Sequence, residues 1–239
     1  MNGEERDLIF NIGPIYFDGT VLLMTILTCT IVFGLVFWAS RNMKLKPQGK
    51  QNVLEWVVDF TNGIIKSNAG AGEVKNFSLF AFVLFTFILI SNNIGLVTKI
   101  VTPGSNISLW KSPTATPGVT LALAMMVILL NNFYGVDRKG FKGYFKGFIT
   151  PVVMLPLNII EEFTNFLTLG LRLYGNIFAG EVLLGLLAGM GNSNPYLLPF
   201  AVILEVLWTA FSVFISCLQA YIFVTLTMVY LSHKISEEE

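Results

Sequence analysis

Five runs of apolar residues occupy most of the chain between Thr20 and Leu231, and the last two are each close to twice the length needed to cross a bilayer. About 20 residues of helix span the hydrocarbon core at 1.5 Å per residue. The runs extend over Thr20–Ala39, Phe77–Val97, Val119–Tyr134, Pro151–Met190 and Tyr196–Leu231. Composition leaves little alternative to a membrane fold. Of 239 residues, 54% are hydrophobic and only 13% charged, against about 25% charged in a soluble domain. The expected class is an all-α integral membrane protein forming one membrane domain over residues 1–239.

Several functions are excluded at once. The 15 basic and 15 acidic residues cancel, so no electrostatic footprint for nucleic acid exists. Cys29 and Cys217 lie inside apolar runs, and His233 is the single histidine. Neither a disulfide framework, a zinc site nor a histidine-based catalytic triad can be assembled from them. Gly49-Lys50 is followed by Gln51, so there is no phosphate-binding loop. The chain opens on MNGEERD, an acidic stretch unlike a signal peptide.

Basic residues orient the runs. Arg41, Lys44, Lys46 and Lys50 follow the first, and Arg138, Lys139, Lys142 and Lys146 follow the third. Both clusters are expected on the cytoplasmic side. Parity then puts the N-terminus and the 99–116 loop outside and the C-terminus inside. Gly191-Asn192-Ser193-Asn194-Pro195 reads as an outer turn joining the last two runs. Residues 51–66 differ: Val53, Val57, Phe60 and Ile64 form one stripe, and Glu55, Asp59, Asn62 and Lys66 another. This is an amphipathic helix on the inner surface, serving either as a lipid-surface linker or as a partner-binding element.

The long terminal hairpin, 151–231, carries the chemistry. Forty helical residues reach about 60 Å, more than an ordinary tilt absorbs. Unless Pro156 or a glycine breaks them, these helices must be steeply tilted or bent, following something curved. Arg172 lies deep in the fourth run; a central arginine costs roughly 3 kcal/mol on insertion scales, and it either marks a functional site or is neutralised by a buried carboxylate as a packing device. Glu161, Asn165, Thr168, Arg172 and Asn176 share one helix face, whereas Glu181, nine residues beyond Arg172, points the opposite way. On the fifth run Glu205, Thr209, Ser212, Ser216 and Gln219 form a second stripe, either a packing seam or a hydrated path. Folding the hairpin at its turn sets Glu181 and Glu205 at similar depth, Arg172 near Gln219, and Glu161 and Glu162 farthest from the turn. Carboxylates on either side of a fixed cation read as two offset half-channels.

At LGLRLYGNIFAGE and SCLQAYIFVTLTMVYLS the sequence resembles subunit a of the bacterial F-type ATP synthase membrane sector. The resemblance implies that Arg172 faces the carboxylate of a rotating c-ring. It further implies that Asn176, Glu181 and Gln219 are polar positions of the proton path. Where some members carry a histidine, this chain has Ser212, which leaves Glu205 to share the role with Glu181. Where some carry a carboxylate, it has Asn158, with Glu161 and Glu162 three and four residues later. Asn92 and Asn93 either line the entrance or cap the second helix. The implied partners are the c-ring subunits, the peripheral-stalk b subunits and the rest of the ATP synthase complex, besides the lipid bilayer and protons. The implied location is the bacterial plasma membrane. No cofactor is expected, and ATP chemistry belongs to other subunits, so the chain is not expected to be an enzyme by itself. An ion-coupled transporter would instead show internal repeats, and a non-conducting scaffold would leave Arg172 replaceable.

Overall fold

The computed structural model describes residues 9–12, 15–46, 48–97, 110–149, 155–193, 196 and 198–235. The described chain is helical apart from one short antiparallel hairpin, β1 (Ile9–Ile12) with β2 (Ile15–Asp18), which pairs Phe10 with Phe17 and Asn11 with Tyr16. Six helices follow: α1 Gly19–Ser40, α2 Lys50–Asn68, α3 Val74–Val97, α4 Pro117–Ile149, α5 Leu155–Ser193 and α6 Leu198–Ile235. All but α2 are long and apolar enough to cross a membrane. The opening MNGEERD, residues 99–109 of the expected outer loop, 151–154 of the fourth run, and Asn194 and Pro195 of the expected turn lie outside the described residues.

Neither long helix is broken. Pro156 falls in the first turn of α5, where a missing N–H costs nothing. With 39 and 38 residues, α5 and α6 each extend about 57–59 Å at 1.5 Å per residue. Gly191, Asn192 and Ser193, expected in a turn, are instead the last residues of α5. Glycine near a helix end is compatible with either state, and here Gly191 packs on the Ala201 methyl, which a Cβ would approach to 3.3 Å.

Two compact units divide the chain. The first takes the described residues of Met1–Met43, Thr86–Thr116 and Tyr174–Ala220. Within it, Asp18 caps α1, its carboxylate accepting from the backbone N–H groups of Thr20 and Val21 at 3.0 and 3.2 Å. The hydroxyls of Thr25, Thr28 and Thr30 donate to carbonyls four residues earlier at 2.7–2.8 Å. Such back-bonding lets a polar side chain sit in hydrocarbon without a partner helix. Much of the remaining α1 surface is exposed and apolar, including Leu22, Leu23, Ile26, Phe33 and Phe37. The segment before α4 closes over the end of α3: Trp110 Nε1 donates to the Ile94 carbonyl at 2.8 Å, and Ser112 Oγ to the Ser91 carbonyl at 2.7 Å. That approach requires Gly95, because a Cβ there would lie 2.3 Å from the Ser112 nitrogen.

The second unit takes Lys44–Phe85, Pro117–Leu173 and the described residues of Tyr221–Glu239. The Gln51 amide accepts from the Lys44 N–H and donates to the Lys44 carbonyl, both at 2.9 Å, which fixes the approach to α2. The buried stripe of α2 is Thr61, Ile64 and Ile65, whereas Val53 and Trp56 are exposed. The expected apolar stripe is therefore divided: Ile64 is buried and Val53 exposed, and Phe60 lies tilted against the rings of Phe85 and Tyr221 at 5.5 and 5.8 Å. The basic residues after the third run do not lie in a loop but in α4, which turns at Gly140 (φ 72, ψ 155). Arg138 donates to both carboxylate oxygens of Glu73 at 2.8 and 2.9 Å. Beyond the turn, the Tyr144 hydroxyl reaches back to donate to Asn132 Oδ1 at 2.7 Å. α4 and α5 meet closely at Gly170, where a Cβ would stand 2.8 Å from Leu121 Cδ2 and 3.4 Å from the Ala124 methyl.

The turn at Gly140 gives a test. A side chain at positive φ costs about 1–2 kcal/mol, so Gly140→Ala should lower the thermal aggregation midpoint of the detergent-solubilised protein. Gly143→Ala, where a Cβ meets only the Lys139 Cβ at 3.7 Å, should leave it unchanged or raise it. Equal behaviour of the two would refute a structural need for the turn.

Candidate functional site

The second unit encloses a polar cavity of about 210 Å³. From α5 it is lined by Asn158, Glu161, Glu162 and Asn165, and from α6 by Tyr230, His233 and Lys234; α4 closes it with Asn131, Asn132, Lys139 and Tyr144. Helical spacing explains the α5 contribution, since 158, 161, 162 and 165 fall on one face. Four of the expected or weighed positions are thus brought together. Charge is held unequally among them. Lys234 forms an ion pair with Glu162 and places its ammonium 5.7 Å from the centre of the Tyr144 ring. Glu161 remains exposed and has no cation in contact among the described residues. The Tyr230 phenol lies within electrostatic reach of both Glu161 and Arg172.

Arg172 itself is exposed on α5, beside the exposed Leu171. Among the described residues no carboxylate pairs with it. A guanidinium on an otherwise apolar membrane helix is costly in lipid, so this face calls for a counter-charge from outside the chain.

The first unit holds the other expected residues. Ser212, Ser216 and Gln219 are buried, and Glu205 and Thr209 half-buried, so the α6 stripe faces inward. Asn176 from α5 and Ser212 from α6 line a cavity of about 90 Å³ with Gly180, Trp208 and Phe211. Trp208 Nε1 donates to the Gly180 carbonyl at 3.3 Å, joining the helices next to the half-buried Glu181. From α3, Asn93 Nδ2 donates to Ser216 Oγ at 3.1 Å. Asn93 thus reaches the α6 stripe from a neighbouring helix, and Asn92 beside it is buried.

This region leaves hydrogen-bonding atoms unmet within the protein. Ser91 Oγ, both amide atoms of Asn92, Asn93 Oδ1, Ser212 Oγ and Gln219 Nε2 are buried without a partner among the described residues. Each would cost about 1–3 kcal/mol if left dry. Roughly 15 Å³ suffices to seat one water, so both cavities are large enough for several. The α6 stripe thus combines a packing contact, Asn93 with Ser216, with buried polar atoms that solvent can satisfy.

Sequence reasoning missed Tyr230, His233, Lys234, Asn131, Asn132, Lys139 and Tyr144. A basic residue at the end of α6 and an acidic one at the corresponding end of α5 were a usable signal for the Lys234–Glu162 pair. Tyr144 gave none, because its place depends on the turn at Gly140.

Comparison with known proteins addresses the whole chain. The sequence model of the family described as ATP synthase A chain matches residues 22–232. "ATP synthase subunit a" of Enterococcus faecalis is 61% identical over 239 residues, covering 99% of this chain and all of that protein. The protein of the same name from Enterococcus hirae is 58% identical with the same coverage. That of Streptococcus gordonii is 50% identical over 237 residues, with 99% of each chain covered. With five membrane-length helices and a match extending from α1 nearly to the end of α6, the chain belongs to the ATP synthase A chain family.

Proposed function

We propose that the chain is the stationary proton channel of an F-type ATP synthase, passing protons to and from a carboxylate on the c-ring through two offset half-channels. The observation that carries the proposal is Arg172, exposed at mid-helix and without a carboxylate partner among the described residues. A fixed cation there lowers the pKa of a carboxylate brought up to it, and so compels that carboxylate to release its proton. A fixed positive charge also repels a free proton, so protons move past it only when carried by a neutralised carboxylate.

During synthesis a proton enters from outside past Glu181, Glu205, Asn176, Ser212 and Gln219, with Asn92 and Asn93 on the opposite wall. It neutralises the ring carboxylate, which can then move into lipid. On its return past Arg172 the carboxylate gives up the proton toward Asn165 and the cavity holding Glu161 and Glu162. One charge moving through 100 mV contributes about 2.3 kcal/mol, so several transfers are summed for each ATP made elsewhere in the complex. The steep helices of the 151–231 hairpin suit a surface that follows a ring. The remaining apolar exposure, including Val53 and Trp56 of α2, suits lipid and the membrane parts of the b subunits. The location that fits is the bacterial plasma membrane, with the N-terminus outside and the C-terminus in the cytoplasm.

Arg172→Ala should reduce ATP-driven proton pumping in membrane vesicles at least 100-fold while the complex still extracts intact; normal pumping would overturn the channel reading. Orientation is tested separately on a background lacking Cys29 and Cys217. A cysteine at Lys142 should react with a membrane-impermeant maleimide in inside-out vesicles but not in right-side-out ones. The reverse pattern would invert the topology.

A further inference from the structure

The two adjacent carboxylates of the polar cavity occupy different electrostatic situations, and the difference assigns them different tasks. Glu162 contacts the Lys234 ammonium, which in turn lies over the Tyr144 ring. Tyr144 is held there by its hydrogen bond to Asn132, which the reversal of α4 at Gly140 makes possible. Three helices are thereby joined through one ammonium group. A carboxylate against a fixed ammonium stays ionised, and protonating it would strand the lysine's charge in a partly buried place. Such a group is poorly suited to bind and release a proton at every turnover.

Glu161 has the opposite character. It opens into the same cavity, is exposed, and touches no cation among the described residues. The Tyr230 phenol lies within electrostatic reach of both Glu161 and Arg172. Glu161 is therefore the carboxylate best placed to take up a proton released near the arginine.

We infer that Glu161 is the proton-relaying carboxylate of this half-channel, and that Glu162 with Lys234 is a fixed ion pair that positions its wall. The inference rests on the channel reading above. In the relay, a Glu161 carboxylate oxygen accepts a proton arriving from the Arg172 side and returns it to water at the open side of the cavity, which leaves the group ionised again. Glu162 and Lys234 exchange no proton; they hold α5 and α6 at the spacing that keeps the cavity open.

The test uses the assembled complex in inside-out vesicles, reading ATP-driven pumping together with ATP hydrolysis and intact detergent extraction. Glu161→Gln should lower pumping at least 10-fold without loss of the complex, and Glu161→Asp should recover at least a third of the wild-type rate. Glu162→Gln and Lys234→Met should each lower pumping about threefold or more, because each leaves an uncompensated charge. The exchanged pair, Glu162→Lys with Lys234→Glu, should return pumping to at least half the wild-type rate, as expected for a pair acting through contact. Wild-type pumping by Glu161→Gln would overturn the assignment. So would an exchanged pair that extracts intact yet pumps no better than the single variants. Arg172→Ala in the same vesicles separates the levels: if it pumps normally, the channel reading falls. If it is silent while the pattern above is absent, only the division of tasks falls.

Discussion

The cost of a guanidinium in hydrocarbon organises this molecule. Arg172 stands on an exposed face of α5, and no carboxylate among the described residues meets it. Elsewhere the chain keeps polar groups out of lipid by local means: threonine hydroxyls return to their own helix, and the Arg138 guanidinium is engaged by Glu73. At Arg172 this economy is suspended. A cation left outstanding at mid-helix is incomplete without a neighbour, and the family to which the chain belongs works as part of an assembly.

The two polar regions solve the problem of water differently. Around Glu161 and Glu162 the protein supplies ions, a phenol and amides, and the wall is wired by direct contacts among α4, α5 and α6. Around Ser212 and Gln219 neutral side-chain atoms are buried and unmet among the described residues, with the half-buried carboxylates of Glu181 and Glu205 on the same two helices. The cavity of Glu161 and Glu162 meets its polar groups largely by direct contact, and the other region leaves them to solvent.

Much of this was legible in the sequence because hydrocarbon enforces a simple rule. Apolar runs of sufficient length must be helices, so Thr20–Ala39 is recovered in α1 and Tyr196–Leu231 within α6 with small shifts at the ends. The α6 stripe was legible for the same reason: serine and glutamine at helical spacing are informative against an apolar background. What escaped depends on single backbone or tertiary events. Gly140 carries no sign in its neighbours that it will adopt positive φ, and without that reversal Tyr144 cannot be placed. The outer turn was set too early because Gly191 and Ser193 suit a helix end as well as a turn. The α2 stripe was divided because periodicity identifies a face without saying whether protein or lipid will cover it. The separate situations of Glu161 and Glu162 required the position of Lys234, seventy-two residues away.

Gly170 lies two residues before Arg172, and two residues turn a helix by about 200°. The glycine therefore looks backward, onto Leu121 and Ala124 of α4, while the arginine looks out. The missing side chain acts as the thinnest possible shim behind the charge. A methyl inserted there would press on Leu121 and Ala124, so that the two helices could no longer lie so close. The seat of the guanidinium is thus machined from the rear, by a residue on the far side of its own helix.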